Sequence, residues 1–84
     1  VELSAMTTLS RSDYVLDVGC GLGGTARYLA HQYGCKVAGL DLTAEYIHVG
    51  NRLTEMVDLS NRVSLICGNA LSLPYDKDTF DMVF

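Results

Sequence analysis

Six consecutive residues, Gly19-Cys20-Gly21-Leu22-Gly23-Gly24, constrain this chain more than any other stretch. They follow directly on Tyr14-Val15-Leu16-Asp17-Val18, a short run rich in β-formers. They precede a segment in which Ala26, Leu29, Ala30 and Tyr33 recur at spacings of three and four. That pattern predicts a buried strand, a tight glycine turn and a helix. Glycines in the turn allow positive φ and a close approach of backbone to a ligand. The free N–H groups that open the helix would face whatever anionic group sits there.

The same alternation continues along the chain. The first helix is expected over Thr25 to Tyr33, with Gly34 as its stop. Lys36 to Leu40 reads as a second strand closed by Asp41. Thr43 is placed as N-cap of a second helix, with Glu45 in the first turn, where the macrodipole favours an anion. Tyr46, Ile47, Gly50, Leu53, Met56 and Val57 are expected along one face of that helix. Asp58 to Asn61 forms a turn and Val63 to Cys67 a third strand. Gly68 to Asp78 is a loop carrying Pro74, and Thr79 to Phe84 opens a fourth apolar run. Upstream, Leu3, Met6 and Leu9 predict a short amphipathic helix, ended by Ser10 to Asp13.

Strand–helix crossovers of this length require parallel strands and right-handed connections. The fold class is therefore α/β, a Rossmann-like open parallel sheet with flanking helices, incomplete in having the first four strands only. The fourth strand would lie at an edge, unpaired on one side. Residues 1–84 are accordingly expected to be the N-terminal portion of one larger domain, or a half that pairs with another copy through that edge.

Composition narrows the partners. With 49 % apolar and 19 % charged residues the chain is no disordered segment, although a domain this small buries only roughly 60–65 % of its unfolded surface. A net charge of -4 gives no general attraction to phosphate backbones, and Arg11, Arg27, Lys36, Arg52, Arg62 and Lys77 are scattered. No nucleic acid is expected. No apolar run is long enough for a bilayer, and no secretory pattern opens the chain. Cys20, Cys35 and Cys67 form no C-x-x-C pair, which argues against a disulfide framework or a zinc site. They read as core thiols of a cytoplasmic protein. His31 and His48 read as surface or boundary residues, and Tyr28, Tyr33 and Tyr46 as core or helix-face packing.

The glycine turn itself fits two ligand classes. Gly19-x-Gly21-x-x-Gly24 matches a dinucleotide fingerprint, in which the anion is a pyrophosphate. Asp17, two residues before the first glycine, would oppose that charge and suits a ligand with a cationic group. S-adenosylmethionine carries an ammonium, a sulfonium and a carboxylate, and no phosphate. Asp17 could then lie near its cationic half, with the Thr25 end of the helix facing its carboxylate.

Asp17–Gly24 (DVGCGLGG) resembles the first motif of class I S-adenosylmethionine-dependent methyltransferases, acidic-x-Gly-x-Gly-x-Gly. Val37–Asp41 (VAGLD) resembles their second strand with its terminal acid. Gly68–Tyr75 followed by Phe80–Val83 resembles their third motif and fourth strand. Within the class the chain is most similar to the small-molecule branch, which includes ubiquinone/menaquinone C-methyltransferases and sarcosine/dimethylglycine N-methyltransferases.

The resemblance implies that Asp17 orients the methionyl ammonium. Gly19, Gly21 and Gly23 would line the methionyl and ribose part. Asp41 would take both ribose hydroxyls, and Leu42 would pack on the adenine. Asn69, where the family more often has Asp, would meet the adenine edge. Ala70 would add a backbone N–H and Leu71 an apolar contact. The implied acceptor is a small molecule, and the implied catalysis rests on positioning and desolvation, with no catalytic residue assigned in this stretch. Two other readings stay open: an NAD-binding oxidoreductase domain, in which Asp41 would serve a ribose equally, and a non-catalytic domain that assembles with another chain. Asp41 could also simply cap the next helix, and Asn69 could be a turn residue.

Overall fold

A computed structural model of the chain describes residues 9–72, 75–76 and 78–83. Its elements are β1 (Tyr14–Val18), α1 (Gly24–Tyr33), β2 (Lys36–Asp41), α2 (Ala44–Met56), β3 (Val63–Cys67), a 3-10 turn (Ala70–Ser72) and β4 (Met82–Val83). All strand pairs are parallel, in the order β3-β2-β1-β4. The chain steps outward from β1 to β2 to β3, then returns across the sheet to lay β4 on the far side of β1. The order therefore reverses beside β1, where open α/β sheets form their crevice.

Two apolar layers sandwich the sheet, because alternate residues of a strand point to opposite faces. On one face Val15, Val37, Val63 and Leu65 pack with Ala26, Leu29 and Ala30 of α1 and Ile47 of α2. Both helices lie on this face, as right-handed crossovers running in one direction require. On the other face Leu16, Ala38 and Leu40 meet Tyr14, Ile66, Tyr75 and Phe80. The Phe80 ring centroid lies 4.6 Å from that of Tyr14 and 4.9 Å from that of Tyr75. The Asp81 carboxylate accepts the Tyr14 N–H at 2.7 Å, and the Asp81 N–H donates to the Tyr14 carbonyl at 2.8 Å. These bonds fix the register in which the short β4 joins β1.

The helix ends follow the expected chemistry with one exception. Gly34 takes the left-handed conformation (φ 73°) and donates to the Ala30 carbonyl. Thr43 is the N-cap of α2, but its side chain makes no capping bond. The Asp41 carboxylate instead accepts the Thr43 N–H at 2.9 Å.

Several expectations are corrected. The buried face of α2 is Ile47, Gly50 and Thr54, whereas Tyr46, Met56 and Val57 are exposed. Gly50 lets the helix settle against the glycine turn, which rotates the apolar stripe partly into solvent. Tyr28 is likewise exposed, while Tyr33 packs against the core. Cys35 is buried, but Cys67 lies exposed at the end of β3 and is no core residue. The first helix begins one residue earlier, at Gly24, and β2 includes Asp41. Leu3, Met6, Pro74 and Phe84 lie outside the described residues, whereas Leu9 belongs to the core.

Gly50 yields a test of this packing. Alanine normally exceeds glycine in a helix interior by roughly 0.5–1 kcal/mol. Here a Cβ would stand 2.6 Å from the Leu22 carbonyl oxygen and 2.6 Å from Leu65 Cδ1. Gly50→Ala is therefore expected to destabilise the protein by about 1–3 kcal/mol, the usual range for overpacking. A lowered denaturant midpoint would show it, and a raised one would contradict the packing.

Candidate functional site

A cavity of about 320 Å³ opens at the C-terminal ends of the strands. Val18 and Gly19 come from the end of β1, Leu40, Asp41, Leu42 and Thr43 from the end of β2, and Gly68 and Asn69 from the segment after β3. Its chemistry is an apolar wall interrupted by one carboxylate, one amide, one threonine and a glycine backbone.

The glycine turn is shaped by three positive φ angles at alternate positions: Gly19 (74°), Gly21 (57°) and Gly23 (84°). L-residues rarely adopt that conformation, so the sequence must place glycine there. The Gly19 and Cys20 N–H groups both donate to the Leu40 carbonyl, at 2.7 and 3.1 Å, and the Gly23 N–H donates to the Cys20 carbonyl at 2.9 Å. The Gly21 N–H donates to Asp41 Oδ2 at 2.8 Å. One carboxylate thus ties the turn after β1 to the start of α2. The bonds from Thr43 and then Gly21 hold the Asp41 carboxyl below its ordinary pKa.

Asp17 stands in the opposite situation. It is 7 % exposed, and no described group donates to its carboxylate. Burial first, and the neighbouring Asp41 charge second, push its pKa up. The same burial, with the charges of Asp17 and Asp41, pushes the Cys20 thiol up to about 11. Two carboxylates thus crowd the glycine turn, opposed in part at Cys20 by the Arg27 charge, and the Cys20 thiolate is disfavoured.

Gly19, Asp41, Leu42 and Asn69 are brought together as cavity lining, and Gly21 joins them through its bond to Asp41. Gly23 faces the interior: a Cβ there would lie 2.7 Å from Leu65 Cδ1. Thr25 is exposed on the first turn of α1 and does not line the cavity, and neither does Asp17, which lies one residue before the lining residue Val18 on β1. Asn69 Oδ1 accepts the Leu71 N–H at 2.9 Å, which opens the 3-10 turn that includes Ala70. Leu71 itself is 92 % exposed. Sequence reasoning missed Val18, Leu40, Thr43 and Gly68 as lining residues. Their signal is positional, since the last residue of each parallel strand and the one after it border the carboxyl edge.

Residues 15–84 match the family described as a methyltransferase domain. The chain belongs to that family. This methyltransferase domain is 39 % identical over 83 residues to the sarcosine/dimethylglycine N-methyltransferase of Halorhodospira halochloris, covering 94 % of this chain and 30 % of that protein. It is 43 % identical over 70 residues to a probable chloroplastic tocopherol O-methyltransferase of Oryza sativa subsp. japonica, covering 83 % and 19 %. Among solved structures it is similar to a geranyl diphosphate methyltransferase in complex with SAM, with a TM-score of 0.90, 30 % identity, and 96 % and 33 % of the two chains covered. The [4+2]-cyclase SpnF shares the architecture at a TM-score of 0.86 and 28 % identity, with 92 % and 28 % covered. The domain thus spans a third or less of the length of these proteins.

The carboxylates make opposite contributions to stability. Asp17 has a raised folded-state pKa, so its ionisation destabilises the free protein at neutral pH. That penalty vanishes as pH falls through the raised value toward the unfolded one. Asp17→Asn is expected to raise the ligand-free melting temperature by a few degrees at pH 7, with the gain shrinking on acidification. A melting temperature lowered at pH 7 would contradict it. Thiol exposure gives a second check. At pH 8 iodoacetamide should label Cys67 and spare Cys20 and Cys35, as read by peptide mass spectrometry; rapid labelling of Cys20 would contradict its raised pKa.

Proposed function

We propose that this methyltransferase domain binds S-adenosylmethionine in the cavity at the strand ends, and that the whole protein transfers the methyl group to a small-molecule acceptor. The observation that carries the reading is Asp17, a largely buried residue beside the glycine turn whose carboxylate has no described donor facing it. Such a group calls for a cationic partner and opposes a diphosphate. The related N- and O-methyltransferases, and the SAM complex of the geranyl diphosphate enzyme, support the choice of ligand.

The donor set fits. When bound, S-adenosylmethionine supplies an electrophilic methyl group on a sulfonium. Asp17 would balance the methionyl ammonium, with the backbone of Gly19 and Gly21 beside it. A carboxylate accepts about four hydrogen bonds. Asp41 spends two on Gly21 and Thr43, and the remainder would serve two ribose hydroxyls. Capping and ligand binding thereby coexist in one side chain. Val18, Leu40 and Leu42 would give apolar cover to the adenine. The Asn69 oxygen is engaged by Leu71, so its NH₂ group would meet a ring nitrogen. Ala70 would contribute backbone, and Thr25 and Gly23 would act through the helix start. Leu71 would reach the ligand only by turning inward.

The acidic balance supports a small molecule over nucleic acid as acceptor, and the unpaired thiols support a reducing, cytoplasmic setting. Among the described residues no helix is long and apolar enough to cross a membrane. Pairing between copies would use the outer edge of β4. The β3 edge is already occupied at Leu65, whose N–H and C=O both bond to the Asn51 side chain. One observation favours a second reading, in which the fold serves chemistry other than methyl transfer: the relative SpnF is a cyclase.

Calorimetry of the full-length protein with S-adenosylhomocysteine and with NADH tests the ligand. Binding of the first and none of the second is expected, and the reverse would restore the dinucleotide reading. Asp41→Ala should weaken S-adenosylhomocysteine binding by roughly 10- to 100-fold, as loss of hydrogen bonds to a charged group predicts. An unchanged affinity would leave Asp41 as a cap alone.

A further inference from the structure

The glycine turn is held from beneath by residues that do not line the cavity. Arg27 Nη1 donates to the Leu22 carbonyl at 2.7 Å, to the Gly50 carbonyl at 3.1 Å and to Thr54 Oγ1 at 3.2 Å. Leu22 belongs to the turn, while Gly50 and Thr54 belong to α2. All three acceptors are neutral oxygens, and Thr54 is 1 % exposed and donates in turn to the Gly50 carbonyl at 2.8 Å. A single guanidinium nitrogen thus joins the turn to a neighbouring helix at a part-buried point. Hydrogen bonds from a charged donor are the stronger kind.

Beside this polar joint lies an apolar one. The Leu65 methyls fill a socket formed by Gly23, Gly39 and Gly50. Ideal Cβ atoms at those positions would stand 2.7, 2.5 and 2.6 Å from Leu65 carbons. A Cβ on Gly23 would also stand 3.0 Å from Arg27 Nη1. Three glycines from three elements therefore leave room for one leucine and for the guanidinium next to it.

We infer that Arg27 is a positioning residue for the ligand-binding turn: it fixes the Leu22 carbonyl against α2, and with Leu65 below it holds the Gly21–Gly23 backbone in the arrangement whose N–H groups bond to Asp41 and to the Cys20 carbonyl. Ligand affinity then depends on a side chain that never touches the ligand. The inference rests on the reading that the turn binds an adenosyl ligand.

The test uses the full-length protein and two substitutions. Arg27→Met removes the donor, and Arg27→Lys keeps a charged nitrogen able to donate. Amide hydrogen exchange is followed at Gly21 and Gly23 and across β1 and β2, and S-adenosylhomocysteine affinity is measured by calorimetry. Arg27→Met is expected to speed exchange at Gly21 and Gly23 by about tenfold, to leave β1 and β2 unchanged and to weaken binding by about tenfold, with Arg27→Lys restoring most of both. Equal acceleration throughout the sheet would reduce Arg27 to a general structural role, and no change at the turn would remove it from consideration; either overturns the inference. Should Arg27→Met fail to fold, Thr54→Val deletes one acceptor, and the same local pattern is expected at smaller amplitude. Absence of S-adenosylhomocysteine binding by the unmodified protein would sink the proposed function, while the exchange pattern would still decide the joint.

Discussion

A carboxylate moved toward an apolar interior without a donor to meet it destabilises a fold, and Asp17 comes close to that state: the residue is buried and accepts no hydrogen bond from a described group, although no described side-chain oxygen is both sealed from solvent and unpartnered. The described surroundings donate no hydrogen bond to Asp17 and add a second carboxylate, Asp41, at the end of the adjacent strand. Parallel pairing sets this juxtaposition: Asp17 is in register with Gly39, two residues before Asp41. Destabilisation concentrated at a site is common where binding needs a group poised for a partner. A cationic ligand offsets it, whereas a diphosphate aggravates it. On the proposed reading, the electrostatic preference of the site would thus follow from strand register and burial.

On the proposed reading, Asp41 would combine stability and binding in one side chain. Its two backbone partners join the turn after β1 to the N-terminus of α2, and two acceptor positions remain. Arg27 and Leu65 reinforce the same junction from below. The turn is accordingly less a free loop than a piece of backbone fastened at several points. A pre-arranged backbone of that kind lowers the ordering cost of binding.

Much of the fold was legible because its signals are local. The run Tyr14–Val18, the glycines after it and the stop at Gly34 mark a strand, a turn and a helix by backbone chemistry alone. The acids at positions 17 and 41 stand out in the sequence because a carboxylate in or at the end of an apolar strand is costly unless it has a task. What was not legible depends on contacts between distant residues. The period of α2 places Tyr46 and Met56 with the apolar stripe, but Gly50 touching Leu22 and Leu65 sets the helix rotation. Gly23, Gly39 and Gly50 look alike in sequence, and only the position of Leu65 shows that they form one socket. Arg27 reads as a surface cation until Leu22, Gly50 and Thr54 are seen around it. Thr43 looks like an ordinary cap, and the Asp41 bond to its amide is a tertiary detail.

The sign of one titration shift tests the central claim most directly. Carbon-13 NMR of the Asp17 carboxyl in the full-length protein should give a midpoint above the ordinary carboxylate value. Adding S-adenosylhomocysteine, whose ammonium would face it, should bring that midpoint down. A midpoint that stays put or climbs on saturation would mean that the buried acid does not meet the cationic end of the ligand, and the electrostatic account of this site would be wrong.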